Sequence, residues 1–184
     1  MNRARVALEV VAPLPHPAVA AAELDFDTVF RRYAPYVAAV AHRLLGRDSE
    51  VDDTVQEVFL VAVRGLARVR DPGAVKAWLA RIAVRSARRR LRMRRLRAVF
   101  GLDEVAGYES IADSGASPEQ RALLQRVYLV LDTLPADQRI AWTLRHVEGE
   151  RLDAVASLTG CSLATAKRRI AAATQTLDEA FADV

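Results

Sequence analysis

Cysteine, histidine and glycine are scarce in this chain. Its 184 residues include one cysteine and three scattered histidines, which excludes an internal disulfide, a cysteine-based zinc site and a histidine-rich metal site. The eight glycines and seven prolines are too few for a collagen-like or linker-like sequence, and 52% hydrophobic residues indicate a folded protein. A single cysteine favours a reducing compartment, so we expect a cytoplasmic protein.

Long apolar runs are also missing. The longest uncharged stretch near the start, residues 10–22, is interrupted by three prolines and is too short to cross a bilayer. Those prolines and Glu9 also argue against a signal peptide, although two arginines and several small residues flank the stretch. We therefore expect no membrane insertion and interpret residues 1–24 as a flexible N-terminal extension.

The charged residues are sorted into blocks. The formal net charge is only +4, yet all but two of the 27 basic residues are arginine. Residues 81–97 contain nine arginines and no acid, whereas acidic residues collect before and after this stretch. Such a basic block indicates a polyanionic partner such as a nucleic acid.

Apolar residues recur at helical spacing nearly everywhere, so the sequence predicts an all-α protein. Residues 25–46 suggest two successive helices, because Pro35 should break the first one. The next helix has apolar positions from Val51 to Leu66 and a polar strip on the opposite face, made of Asp52, Asp53, Gln56 and Glu57.

Asp71 and Pro72 should cap a further helix that runs to about Arg97. We expect one side of this helix to carry Val75, Trp78, Leu79, Ile82, Ser86 and Met93. Five arginines spaced by three or four residues form one continuous row on this helix: Arg81, Arg85, Arg88, Arg92 and Arg95. A row of this kind can follow a phosphate backbone.

Two small helical domains follow from this pattern, namely residues 25–97 and 118–182. Residues 98–117 lose the helical periodicity and collect glycine, serine and acids, which indicates a flexible acidic linker. In the second domain a short helix, a turn at residues 159–161 and a longer helix capped by Ser162 are typical of a helix-turn-helix motif.

With these pieces in order, the chain resembles an extracytoplasmic-function (ECF) sigma factor, a bacterial subunit that directs RNA polymerase to promoters. The resemblance covers most of residues 26–181. The segments that carry it in the first domain are FRRYAP at 30–35, LLG at 44–46, DTVQEVFL at 53–60 and AWLARIA at 77–83. In the second domain they are LPADQR at 134–139, VEG at 147–149 and GCSLATAKRR at 160–169.

The resemblance implies a division of labour between the domains and requires no cofactor. The polar strip of Asp52, Asp53, Gln56 and Glu57 would bind the polymerase clamp, and the loop at 67–74 would hold an unstacked base of the minus-10 element. The residues assigned to the minus-10 element are Arg70, Arg81, Arg85, Arg88, Arg89 and Arg92. The residues assigned to the minus-35 element are Ser162, Ala164, Thr165, Lys167, Arg168 and Arg169. An anti-sigma factor is a further partner that the family commonly has.

Two parts of the sequence depart from the family's pattern. Arg85 stands where many relatives have asparagine, which favours a phosphate contact over base reading there. Alanines at 171–173 replace the basic residues that usually follow Arg169, so we expect a weaker grip on the minus-35 DNA.

Other functions remain open on the residues alone. A self-contained helix-turn-helix regulator would explain residues 150–181 but would leave the acidic strip and the arginine row without a task. The arginine helix could also lie on an anionic membrane surface, although its apolar face has few large residues. The third alternative is an enzyme or a scaffold of helical type. An enzyme has little support, because no catalytic triad, phosphate-binding glycine loop, paired buried carboxylates or metal-ligand spacing is present in the sequence.

Overall fold

The structure is a computed structural model that describes residues 25–101 and 116–182. Within these ranges the chain forms α-helices joined by turns and has no strand, which confirms the all-α prediction. The α-helices are α1 (Phe26–Leu45), α2 (Val51–Gly65), α3 (Val75–Val99), α4 (Pro118–Thr133), α5 (Ala136–His146), α6 (Leu152–Thr159) and α7 (Leu163–Ala180). The predicted linker lies largely outside the described residues, as does the N-terminal extension.

Helix α1 is continuous, so the predicted break at Pro35 is wrong. Asp25 caps its first turn by accepting a hydrogen bond from the backbone N–H of Thr28 at 3.1 Å, and Gly46 ends it with a φ of 72°. Buried residues on both sides of the proline, Tyr33 and Val37, lie on the same face of the helix. Their packing compensates for the one backbone hydrogen bond that proline removes.

Helices α2 and α3 pack against α1 and against each other. Short 3₁₀ turns connect them at Leu66–Arg68 and Pro72–Ala74. Gly65 ends α2 directly beneath Trp78 of α3, because a Cβ at residue 65 would lie 2.7 Å from the indole ring. This close approach fixes where the connecting loop leaves α2, and it supports the interpretation of Trp78 as a packing residue.

The buried face of α3 differs from the predicted one at its C-terminal end. Leu79, Ala83 and Ala87 are buried as core residues, but Met93 is 48% exposed and Arg94 is buried instead. Residues 95–100 are all exposed. The C-terminal end of α3 therefore lies at the surface, and an apolar residue such as Met93 is only partly covered there.

The C-terminal domain is built from α4 to α7. Ser117 and Gln120 form a capping box at the start of α4. Helices α6 and α7 form the helix-turn-helix: Gly160 has a φ of 66° in the turn, and the Ser162 hydroxyl accepts from the backbone N–H of Thr165 at 3.2 Å. Cys161 is half-buried against the core, as a small apolar residue would be.

The two domains pack directly on each other. Helices α5 and α6 contact α3, and α5 also contacts the end of α1. Buried side chains of both domains belong to one continuous hydrophobic cluster. None of the helices in residues 25–101 and 116–182 is long and apolar enough to span a membrane.

Candidate polymerase-binding and DNA-binding surfaces

Polar side chains of the C-terminal domain cap the last turn of α1. The hydroxyl of Tyr128 donates to the carbonyl of Arg43 at 2.8 Å. Arg139 donates from Nε to the carbonyl of Leu44 at 3.0 Å and from Nη2 to that of Leu45 at 2.7 Å. The last carbonyls of a helix have no partner within it, so these bonds satisfy groups that would otherwise be buried and unpaired.

Asp132 holds the buried guanidinium groups in this interface. It forms an ion pair with Arg139 of its own domain and accepts from Nη1 of Arg94 in α3 at 3.3 Å. Arg94 also donates to Glu50 at 2.9 Å and to the carbonyl of Leu45 at 3.1 Å. The sequence gives no sign of this role, because Arg94 sits in a run of surface arginines and its partners include a main-chain carbonyl.

Burial changes the pKa of several titratable groups in the interface between the domains. It raises the pKa of the Tyr128 phenol well above its ordinary value, despite the opposing charges of Arg139 and Arg43. It also lowers the pKa of the Arg139 guanidinium, which Asp132 partly restores. Burial raises the pKa of Glu148 as well, although Glu148 accepts a hydrogen bond from Arg43 at 2.9 Å.

The polar strip on α2 is exposed only in part. Asp52, Asp53 and Gln56 are exposed, as predicted. Glu57 is half-buried, because its carboxylate accepts from the Ser86 hydroxyl at 2.7 Å and from Nη2 of Arg89 at 2.6 Å. The expectation that all four residues form an open surface is therefore wrong for Glu57, which joins α2 to α3.

The predicted minus-10 residues do not share one environment. Arg70, in the loop between α2 and α3, and Arg85 are exposed. Arg89 faces α2 and pairs with Glu57, so it lies apart from the row. Arg81, Arg88 and Arg92 face the C-terminal domain, where each contacts a polar group of that domain.

The start of α7 presents most of the predicted minus-35 residues to the surface. Ala164, Lys167 and Arg168 are exposed, and Leu163 beside them is 45% exposed. Thr165 and Arg169 are half-buried, with Arg169 Nη2 lying 3.5 Å from Asp137. Ser162 is exposed as well, and its hydroxyl serves as the helix cap. In a helix-turn-helix this is the end of the second helix that meets the base edges.

Comparison with known proteins decides the family. The model of Sigma-70 region 2 matches residues 29–97, and the model of Sigma-70 region 4 matches residues 124–177. The ECF RNA polymerase sigma-E factor of Escherichia coli (strain K12) is 31% identical over 162 residues, which are 83% of this chain and 84% of that protein. The chain belongs to the ECF sigma factors.

Further relatives agree with this assignment. The RNA polymerase sigma-H factor of Pseudomonas aeruginosa is 30% identical over 167 residues, which are 85% of this chain and 86% of that protein. Among solved structures, the sigma factor RpoE in complex with the anti-sigma factor NepR from Bartonella quintana matches with a TM-score of 0.64 and 26% identity, covering 86% of this chain and 97% of that one. CnrH in complex with the cytosolic domain of CnrY shares the fold, with a TM-score of 0.58 and 21% identity over 97% of this chain and 96% of that one.

As a sigma factor, the protein binds core RNA polymerase and promoter DNA and directs transcription initiation. The helix-turn-helix of α6 and α7 belongs to region 4, and the arginine-rich α3 belongs to region 2.

Proposed function

We propose that the polymerase-binding surface of this sigma factor is the open part of the strip on α2, carried by Asp52, Asp53 and Gln56. These side chains lie on a helix whose opposite face is buried in the core. The packing of that face fixes their positions. Charged groups at the rim of an interface steer and orient a partner of opposite charge. Glu57 contributes indirectly by fixing α2 on α3.

The minus-35 element is read by the start of α7. Lys167 and Arg168 are exposed one turn into the helix, where they can reach phosphates or guanine edges in the major groove. The exposure of these two cations beside Ala164, on a helix capped by Ser162, is the observation that carries the assignment. Thr165 and Arg169 support this surface from its side.

The minus-10 element is bound by the loop at 67–74 together with α3. Arg70 and Arg85 are exposed and available for phosphate contacts. Arg81, Arg88 and Arg92 join them once the C-terminal domain moves away. These contacts give affinity that depends on salt and very little on sequence, so an extruded base held by the loop supplies the specificity.

The protein catalyses no reaction and acts in the cytoplasm as a non-catalytic subunit. Its domains bind macromolecules, and the proposed surfaces are largely charged and polar side chains on helices and on the loop at 67–74. An anti-sigma factor is a further partner, supported by the solved relative that is bound to one.

Reversal of charge on the strip tests the polymerase assignment. The variant carries Asp52→Lys and Gln56→Lys, two exposed positions one helical turn apart. We expect its affinity for purified core polymerase to fall by at least tenfold, measured by fluorescence anisotropy at moderate salt. Glu57→Lys is unsuitable, because it would place a cation beside Arg89 and Arg90 and destabilise the domain.

Helix α7 offers a matched control. Gln175→Lys and Glu179→Lys exchange an amide and an acid that also lie one turn apart on an exposed surface. This pair should leave polymerase affinity within about twofold of the wild type. If both double variants bind polymerase like the wild type, the strip is an ordinary solvated face and the assignment is wrong.

A further inference from the structure

The C-terminal end of α3 exposes four large apolar side chains. Met93 and Leu96 are 48% and 54% exposed, and Val99 and Phe100 are 76% and 74% exposed. A cluster of exposed apolar groups bordered by charged residues is typical of a binding surface. The contacts proposed above for polymerase and DNA involve none of these four residues.

Three of the four apolar residues continue a line of arginines on one face of α3. A helix places residues three or four positions apart on the same face. Five exposed residues of α3 follow that spacing, and we call them the open face: Arg85, Arg89, Met93, Leu96 and Phe100. The open face shares Arg85 with the arginine row, whereas Arg81, Arg88 and Arg92 of that row contact the C-terminal domain.

The backbone fixes Phe100 at the end of the open face. Its N–H donates to the carbonyl of Arg97 at 3.0 Å, and the N–H of Gly101 donates to that of Ala98 at 3.1 Å. Gly101 then turns the chain with a φ of 68°, a conformation that favours glycine. The aromatic side chain is therefore held at a defined helix end, with most of the residue open to solvent.

The charge around the open face selects an anionic partner. Residues 81–101 contain nine arginines and no acidic residue, so a partner must bring negative charge as well as apolar surface. Single-stranded DNA offers both, since its phosphates are anionic and its unpaired bases are flat rings. Proteins that bind single strands combine cations with aromatic side chains on which the bases stack. The open face also continues the part of α3 to which minus-10 binding is assigned above.

We propose that the open face of α3 binds single-stranded promoter DNA, with Arg85 and Arg89 contacting phosphates and the Phe100 ring stacking on an unpaired base. The proposal rests on the minus-10 binding proposed for α3. The helix rises about 22 Å between residues 85 and 100, so one strand can contact both ends of the face. Met93 and Leu96 supply apolar surface between these ends.

Stacking on Phe100 has a different role from base binding in the loop at 67–74. An aromatic ring stacks on any base, so this contact stabilises the melted strand without selecting a sequence. The extruded base held by the loop remains the source of minus-10 specificity. Loss of the Phe100 ring should therefore destabilise the open complex equally at different minus-10 sequences.

Substitution of Phe100 tests stacking in the complete holoenzyme. The complex contains core polymerase, the full-length sigma factor and a promoter that this holoenzyme selects from a library. The lifetime of the open complex is measured after a heparin challenge. Phe100→Ala should shorten it by about tenfold, the effect of losing one stack of a base on an aromatic ring. Phe100→Trp should keep the lifetime within about twofold of the wild type.

Two further variants control for effects other than stacking. Phe100→Leu keeps an apolar side chain without a ring, so it should behave like Phe100→Ala. Leu129→Ala removes an apolar residue of α4 that is 52% exposed, and it should leave the lifetime within about twofold of the wild type. A lifetime restored by leucine would show an apolar contact without stacking and would overturn the proposal.

A photocross-link locates the contact. In the open complex, Phe100→p-benzoyl-phenylalanine should cross-link the sigma factor to a nucleotide of the melted segment after irradiation. Leu129→p-benzoyl-phenylalanine is the matched control and should give no cross-link to DNA. Cross-links from residue 100 only to polymerase or to double-stranded DNA would contradict stacking on an unpaired base.

An anionic membrane is the other surface to which basic and apolar groups bind together. Sedimentation of the free protein with vesicles of phosphatidylglycerol and phosphatidylcholine tests this partner. We expect the wild type to stay in the supernatant. Sedimentation that Phe100→Ala abolishes, together with an unchanged lifetime of the open complex, would assign the open face to a membrane instead of DNA.

Arg85→Ala separates this proposal from the proposed function. It should shorten the lifetime of the open complex, because a phosphate contact is lost. If Arg85→Ala has this effect but the Phe100 variants match the wild type, phosphate binding by α3 stands and stacking fails. If Arg85→Ala and Phe100→Ala both match the wild type, the assignment of minus-10 binding to this part of α3 fails as well.

Discussion

Arginines facing the domain interface and arginines at the start of α7 are chemically the same group in opposite settings. Arg139 is fully buried and donates to the carbonyls that end α1. Arg168 is exposed beside Lys167 on the recognition helix. Buried cations stabilise a structure only while every partner is present, whereas exposed cations contribute little to stability and remain available to a ligand. The two settings therefore predict opposite effects for the same kind of mutation.

The largest expected effect is on stability at the interface. Arg139→Met removes the two bonds to the α1 carbonyls and leaves Asp132 with one fewer cation. We expect the free energy of unfolding in urea to fall by about 3–5 kcal/mol. Arg168→Met should change it by less than about 0.5 kcal/mol. Equal effects of the two substitutions would contradict the contrast between the two settings.

The exposed cations on α7 are expected to affect DNA binding rather than stability. Lys167→Ala with Arg168→Ala should weaken binding to a duplex carrying a minus-35 element, and the slope of log K against log salt should fall by about 1.8 if both cations contact phosphate. Titrations at several salt concentrations measure this slope. An unchanged slope with unchanged affinity would remove both residues from the DNA-binding surface. The thermal unfolding midpoint of the variant serves as the control and should stay near the wild-type value.

High pH tests the same contrast, because Tyr128 is one of the buried polar groups in the interface between the domains. Its pKa is raised in the folded state, whereas a tyrosine in the unfolded chain ionises near its ordinary pKa of about 10. The stabilising contribution is therefore fully present below about pH 10 and is lost as the pH rises above it, by up to about 1.4 kcal/mol per pH unit. Tyr128→Phe should make the unfolding free energy, measured between pH 9 and 11, depend less on pH. A slope identical to that of the wild type would contradict the buried setting of this phenol.

The smallest expected effect concerns the cap of the recognition helix. Ser162→Ala should lower the free energy of unfolding by about 1 kcal/mol, because the backbone N–H of Thr165 loses its acceptor. Ser162→Asp keeps an acceptor there but adds a negative charge where DNA is expected. It should preserve stability and weaken DNA binding, which urea titration and anisotropy together can show. If Ser162→Asp binds DNA normally, residue 162 caps the helix and lies outside the DNA interface.

Much of the fold could be predicted from sequence because local signals were strong. The helical spacing of apolar residues predicted the helices, the Ser162 cap marked the start of the recognition helix, and the order of the motifs indicated region 2 and region 4. The break expected at Pro35 failed because long-range packing outweighed a local preference. The prediction that Met93 lies on the buried face was wrong for a related reason. A periodic apolar position stays exposed where no other helix covers it.

The domain interface could not be predicted in the same way. Arg94 and Arg139 bind main-chain carbonyls of α1, and a carbonyl leaves no mark in the sequence. Glu57 looked like one more exposed acid because its partners, Ser86 and Arg89, lie on another helix. Helical periodicity identifies which side chains share a face but not which face another domain will cover.

The most direct test of sigma-factor function is transcription from a promoter library by purified core polymerase with this protein. We expect selective initiation that depends on the added protein. The variant with Lys167→Ala and Arg168→Ala should lose the preference at minus-35 positions and retain the preference at minus-10 positions. Duplex DNA binding without any polymerase-dependent initiation would contradict sigma-factor function and would indicate a self-contained DNA-binding regulator.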